Sequence, residues 1–314
     1  MQALIDVMLP VFGIIVVGYI AGRIRLVEKA SSKSLNNYVY YVALPALLFI
    51  SLANAPIEEL LNWGFIGSNL AGILISFALC IILARLFFGR KLPQSSIHGM
   101  AASYGTTGYM GIPLMIAAFG KGAALPAAIA TLIHNIPVIA LVILLFESMK
   151  NSERKQELLK NISKAIFLNP LTISVLAGIC FSIFRIELPV SLDIFSQLLA
   201  DAAGPTALFA LGVGLVGQKN FFSSTSTAKS EVLLTTFIKI FIQPLLTIIF
   251  VLYVFDLEGL WATVAIIMSA LPVGAGVYVF AQQYDSFKDE TSQAIIVSML
   301  ISIPTLTGLL IWFS

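Results

Sequence analysis

Apolar runs long enough to cross a bilayer recur along the whole chain, and most charged residues fall in the short intervals between them. Residues 34–57, 60–84, 122–146, 259–284 and 291–314 carry no Asp, Glu, Lys or Arg. A hydrocarbon core of about 30 Å takes about 20 helical residues. The pattern predicts ten membrane helices over residues 3–22, 34–54, 62–86, 96–119, 122–148, 165–185, 192–217, 230–255, 258–284 and 289–313. Composition agrees: 59% of the 314 residues are hydrophobic and 11% are charged, and mean hydropathy is +0.97. Soluble domains carry about 25% charged residues, so the chain is expected to be an all-α polytopic membrane protein surrounded by lipid.

Charge contributes orientation rather than partners. Connections after odd-numbered spans hold Arg23, Arg25, Lys29 and Lys33, then Arg85, Arg90 and Lys91, then Lys150, Arg154, Lys155, Lys160 and Lys164, then Lys219 and Lys229, then Lys288. The opposite connections hold Lys121 and Arg185. Short loops rich in Lys and Arg stay cytoplasmic, so both termini are expected outside. Residues 1–8 hold an acid and no base, unlike the start of a signal peptide, so the first span is expected to be retained. The net charge of +2 gives no reason to expect a nucleic-acid partner.

A weak duplication divides the chain into residues 1–149, a basic linker 150–164, and residues 165–314. Pro10 and Pro170 share an offset with Pro45 and Pro205, and Pro113 with Pro272 nearly so. Gly18 pairs with Gly178 and Arg25 with Arg185 at the same spacing. Each half holds five spans, an odd number, so the second repeat is expected to be inverted. Inverted repeats with interrupted helices in matching positions are the signature of secondary transporters.

The fourth span contains SYGTTGYMGIPLM and the ninth LPVGAG. Breaks are predicted at residues 108–113 and 271–276, with new helices beginning near Pro113 and Gly276. Irregular backbone at membrane depth is tolerated where protein or a water-filled cavity satisfies it. Each helix N-terminus there carries about +0.5 charge and suits a carboxylate, while the preceding ends offer carbonyls to a cation or hydroxyl donor. Five further polar positions fall inside spans. Lys239 is a candidate for ion coupling or anion attraction, against the alternative that it snorkels to the surface. Asp201 and His134 are candidates for proton coupling, and Asn135 and Asn37 for cavity lining.

These stretches resemble the auxin efflux carrier family, which includes plant auxin carriers and bacterial malate or malonate permeases. The resemblance rests on NNYVYYVALPALLFISL, GTTGYMGIPL, NPLTISVLAG, DAAGPTALFALGVGL, KIFIQPLL, SALPVGAGVYVFAQQY and ISIPTLTGLL in family order. It implies ten helices in two inverted five-helix repeats. A scaffold of spans 1, 2, 6 and 7, through which a homodimer would form, would support a transport part of spans 3–5 and 8–10 that moves like an elevator. It also implies a substrate site at Thr106, Thr107, Gly108, Gly111 and Pro113, with Pro272, Gly274 and Gly276, where spans four and nine cross. Thr106 stands where family members commonly have asparagine, and the third span lacks the charged residues of the plant carriers.

The expectation is a plasma-membrane permease for small organic anions, mono- or dicarboxylates. A proton or sodium ion is the candidate coupling ion, and no other cofactor is expected. The alternatives are a sodium-coupled symporter of bile-acid type and a membrane receptor that binds a carboxylate without moving it. No zinc-protease, nucleophile-elbow or Walker motif occurs. The histidines and cysteines, two of each, are too dispersed for a metal cluster, so no enzyme is expected.

Overall fold

The computed structural model describes residues 2–54, 62–147, 168, 170–216 and 225–313. The described residues are helical and contain no β-strand. In chain order they form α1 (Gln2–Arg23), α2 (29–53), α3 (Trp63–Phe88), α4 (Leu92–Ser103), α5 (107–119), α6 (121–147), α7 (Pro170–Ile183), α8 (Val190–Gly214), α9 (226–254), α10 (Gly259–Ser269), α11 (Gly276–Gln283) and α12 (Lys288–Phe313). Six helical stretches among the described residues are long and apolar enough to span a membrane: Ser31–Ala53, Trp63–Phe88, Lys121–Phe146, Val190–Gly214, Ser226–Val254 and Lys288–Phe313. Shorter apolar helices cover Phe12–Arg23, Thr107–Phe119, Pro170–Ile183 and Gly259–Ser269. The basic linker at 150–164 lies outside the described residues.

Several helices begin earlier than hydropathy predicts, because polar residues with helix-starting chemistry precede the apolar run. Pro93 occupies the first turn of α4, where its missing N–H costs nothing. Thr225 caps α9, its hydroxyl accepting from Ala228 N at 3.3 Å. Three prolines inside helices follow a widened π turn: Pro45 after Val39–Ala43, Pro113 after Thr107–Gly111 and Pro244 after Ile238–Ile242. A proline ring collides with the carbonyl four residues earlier. A π turn displaces that carbonyl, so the helix continues where the sequence suggests a stop.

The chain divides into two compact units. The first comprises Met1–Asn62, Gly108–Ile129 and Ala165–Gly217, and glycines set its packing. A Cβ at Gly18 of α1 would collide with the Phe209 carbonyl of α8, and one at Gly212 of α8 with the Ile15 carbonyl. A Cβ at Gly178 of α7 would lie 2.8 Å from the Phe49 carbonyl of α2. α1 and α7 also end alike. Arg25 and Arg185 adopt φ of 61° and 50°. Leu26 N donates to Ala21 O and Ile186 N to Phe181 O, both at 2.9 Å, while Arg25 N reaches Gly22 O and Arg185 N reaches Ser182 O. Both ends are Schellman motifs, built at the two arginines that the sequence repeat pairs.

The second unit comprises Trp63–Thr107, Ala130–Lys164 and Gln218–Ser314. Ile73 and Phe77 of α3, Ile97 and Met100 of α4, Val232 of α9 and Val277 of α11 meet in its core. One end of α4 is fastened to α9 by a buried carboxylate. Arg90 Nε and Nη2 donate to the two oxygens of Glu231 at 2.6 and 3.0 Å. The Glu231 hydrogen bond holds the Arg90 guanidinium above its ordinary pKa. His98 lies 3.7 Å from the same carboxylate and stacks on Phe287.

Candidate functional site

In the second unit the chain leaves α4 at Ser103 and α10 at Ser269, and the two interruptions pair. Gly105 and Val273 form an isolated antiparallel bridge. Thr106 N donates to Pro272 O at 3.0 Å and Gly274 N to Tyr104 O at 2.9 Å. Val273 N donates to Ser298 Oγ of α12 at 3.0 Å. Buried backbone groups must find partners, and here each break supplies them to the other. The first interruption is therefore at residues 104–106, before the predicted 108–113. Gly108 and Gly111 lie within the π turn that opens α5, and Pro113 lies inside that helix. Pro272, by contrast, lies before α11 begins, so Pro113 and Pro272 do not occupy matching places. The second break and the start of a helix at Gly276 fall where predicted.

Tyr104 explains two of the glycines. A Cβ at Gly274 would lie 2.7 Å from Tyr104 Cδ1 and 2.8 Å from the Gly105 carbonyl. One at Gly276 would lie 2.8 Å from Tyr104 Oη and 2.9 Å from Cε1. The ring fills the space that side chains at 274 and 276 would need.

Polar groups cluster at this paired break. Thr106 and Thr107 are buried, and Thr107 Oγ1 has no hydrogen-bond partner. Lys239 of α9 is fully buried, and its Nζ donates to the Ser269 carbonyl at 2.7 Å. The snorkelling alternative is excluded by this burial. Gln243 donates Nε2 to Ser103 O at 3.2 Å and leaves Oε1 unpartnered. His134 of α6 is fully buried, and it lies beside the Ser103 backbone and within electrostatic range of Lys239. The neighbouring Asn135 also has a buried, unpartnered oxygen. Unpaired hydroxyl and amide groups beside a buried ammonium can serve a polar or anionic ligand.

The first unit holds a separate cavity of about 480 Å³. Pro10, Leu47, Pro113, Ile116 and Leu208 make its wall mostly apolar, while Ser51, Asn54, Lys121, Gln197 and Asp201 bring polar groups to it. Asp201 accepts from Gln197 Nε2 at 2.9 Å and is exposed. Asn37 is exposed on α2 and lines neither this cavity nor the paired break.

The structure thus gathers Thr106, Thr107, Pro272, Gly274, Gly276, Lys239 and His134 in one unit, and Pro113 and Asp201 on the cavity of the other. Sequence reasoning missed Tyr104, Gly105, Gln243, Ser269 and Ser298. Tyr104 and Gly105 open the glycine-rich stretch and carried a signal. The others sit in ordinary apolar helices and carried none.

A family model described as "Membrane transport protein" matches residues 3–310. The chain belongs to the auxin efflux carrier family. It is 28% identical over 99% of its length to a Rhizobium meliloti (strain 1021) protein named "Putative malonate transporter", covering 96% of that protein. It is 26% identical to the mouse "Lysosomal cholesterol signaling protein" over 96% of this chain and 36% of that one. Arabidopsis thaliana "Auxin efflux carrier component 8" is 30% identical over 45% of this chain and 39% of its own. This auxin efflux carrier family member is accordingly a multi-pass membrane transporter.

Proposed function

We propose that this transporter moves small mono- or dicarboxylates across the plasma membrane by elevator-type alternating access. The observation that carries the reading is the paired break in the second unit. Two helices are interrupted together, and their backbone groups pair with each other while Thr107 and Gln243 keep buried polar atoms free. Thr106 and Thr107 with the amide groups opening α5 and α11 would hold the carboxylate, with Gly108, Gly111 and Pro113 shaping the first of these helices. Pro272, Gly274 and Gly276 would shape the second. Helix N-termini favour anions without a full positive charge. The name of the R. meliloti relative supports a dicarboxylate such as malonate.

The ten-helix inverted repeat is supported by exchanged contacts in the first unit. Gly18 of α1 lies against α8 while Gly178 of α7 lies against α2, the exchange expected if α1 corresponds to α7 and α2 to α8. The matching ends at Arg25 and Arg185 support the same correspondence. We assign α1, α2, α7 and α8 to a scaffold, through which a homodimer would form, and α3–α6 with α9–α12 to the moving part. The cavity beside Lys121 and Asp201 falls within the 300–1,000 Å³ usual for small ligands. Asp201 and His134 are the proposed proton-coupling groups.

Charge movement in proteoliposomes tests the reading. The panel holds mono- and dicarboxylates with and without sodium and a pH step. A carboxylate-specific current is expected. Binding without current or labelled flux would overturn it in favour of a ligand receptor, the second reading, which the name of the mouse relative favours.

A further inference from the structure

We infer that the Lys239 ammonium is the resident cation of the paired break, covalently tethered where a free cation would otherwise be held, so that the protein works without sodium.

The argument begins with the end of α10. A helix terminus leaves its last carbonyls without intrahelical partners and carries about −0.5 charge. One such acceptor, Ser269 O, and the Pro272 carbonyl just beyond the helix fall at this interruption. The Pro272 carbonyl is satisfied by Thr106 N at 3.0 Å. The Ser269 carbonyl, from the last residue of α10, takes its proton from Lys239 Nζ at 2.7 Å, the length of a charge-assisted bond. The same side chain reaches the other break, because a Cβ at Gly105 would lie 3.5 Å from both Cε and Nζ of Lys239. One side chain on α9 therefore bonds the second interrupted segment and lies beside the first.

No carboxylate competes for it. Among the described residues Glu231 is the only buried acid, and it is engaged by Arg90. The polar groups near Lys239 are instead neutral or acceptors. They include the Ser269 carbonyl, the Gln243 amide anchored on Ser103 O and the His134 ring. A buried ammonium with a backbone carbonyl as its recorded partner stands in the place of a small cation at a helix C-terminus. Attached through its side chain, it cannot be exchanged or co-transported. A sodium-coupled cycle needs that place to fill and empty. Lys239 keeps it filled and leaves the positive charge beside the anion-binding ends.

The test compares wild type, Lys239→Ala and Lys239→Met in the full chain. Lys239→Ala vacates a space of three carbons and one nitrogen, which propylammonium matches. Thermal unfolding in detergent should rise with propylammonium for Lys239→Ala and stay unchanged with choline, while wild type should respond to neither. This arm uses no substrate, so its failure is distinct from failure of the carboxylate reading on which the flux arm rests. In proteoliposomes, wild-type carboxylate flux should persist when sodium is replaced by N-methylglucamine. Lys239→Ala should lose about tenfold or more, the effect of one charged hydrogen bond, and recover with propylammonium. Lys239→Met, of similar length without charge, should stay low and resist rescue. Wild-type flux abolished by sodium removal would overturn the inference, as would wild-type flux in Lys239→Met. So would folded Lys239→Ala that propylammonium does not stabilise. If Lys239→Ala fails to fold, Lys239→Met and the sodium replacement still decide.

Discussion

Gly274→Ala and Gly276→Ala look alike in sequence but should fail for different reasons, and Tyr104 separates them. At Gly276 the three atoms nearest the added methyl all belong to Tyr104, with Oη at 2.8 Å, Cε1 at 2.9 Å and Cζ at 3.0 Å. Each is about 0.5 Å inside ordinary carbon contact. At Gly274 the methyl meets the Tyr104 ring at 2.7 Å and also the Gly105 carbonyl at 2.8 Å, which is backbone held in the bridge. Overpacking of this kind costs about 1–3 kcal/mol, and the Gly274 clash should lie at the upper end because backbone cannot rotate away. At about 1.4 kcal/mol per decade, either variant should lower carboxylate flux severalfold to about a hundredfold. The second-site change Tyr104→Ala removes the ring, at its own cost of about 3 kcal/mol or more. In that background Gly276→Ala should become nearly neutral, a coupling of about 1–3 kcal/mol, while Gly274→Ala should remain damaging. Flux in proteoliposomes and thermal stability of all five variants measure the two cycles. If Gly276→Ala costs as much without the Tyr104 ring as with it, the packing account of these glycines is wrong.

Two further outcomes follow from the packing of each unit. Arg90→Ala should destabilise more than Glu231→Gln, by about 3 against about 1 kcal/mol. The first leaves a carboxylate buried and the second leaves a guanidinium that is 39% exposed; equal losses in mixed-micelle unfolding would contradict this. Gly212→Ala should lower stability by about 2 kcal/mol or more, since its methyl would collide with the Ile15 carbonyl. Gly13→Ala, with open space around it, should be neutral or gain up to about 1 kcal/mol. A tolerant Gly212→Ala would show that α1 can slide along α8.

How much of this the sequence carried depends on the range of each interaction. Helix existence was legible because burial in lipid demands long apolar runs, and Gly18 with Gly178 and Arg25 with Arg185 were legible because packing and capping are local. The register of the first break was not. Pro113 has the look of a helix start, yet the π turn at Thr107–Gly111 absorbs the proline and moves the start of α5 earlier. Hydropathy cannot distinguish a proline that ends a helix from one that a wide turn accommodates. Lys239 was ambiguous for a different reason. Whether a lysine in an apolar helix snorkels or turns inward depends on its partner, and that partner is a carbonyl on α10. Asn37 stands exposed on α2, a side of the helix that the residue type alone does not choose.

The pairing of the two breaks also explains why neither would survive alone. An interrupted helix in a dry interior leaves N–H and C=O groups that cost several kcal/mol each when unmet. Tyr104 O and Thr106 N are met by Gly274 N and Pro272 O, and Val273 N by Ser298 Oγ. Ser269 O is met by Lys239. Thus the two interruptions, α9, α10 and α12 each supply a group that another requires, so the break is a property of the assembled unit rather than of either segment. Side-chain atoms of Thr107, Asn135 and Gln243 have no hydrogen-bond partner. Backbone is spent on holding the interruption open, which leaves side chains free for a ligand. A carrier gains by that division, because a ligand can leave the side chains without unpairing the backbone that shapes its site.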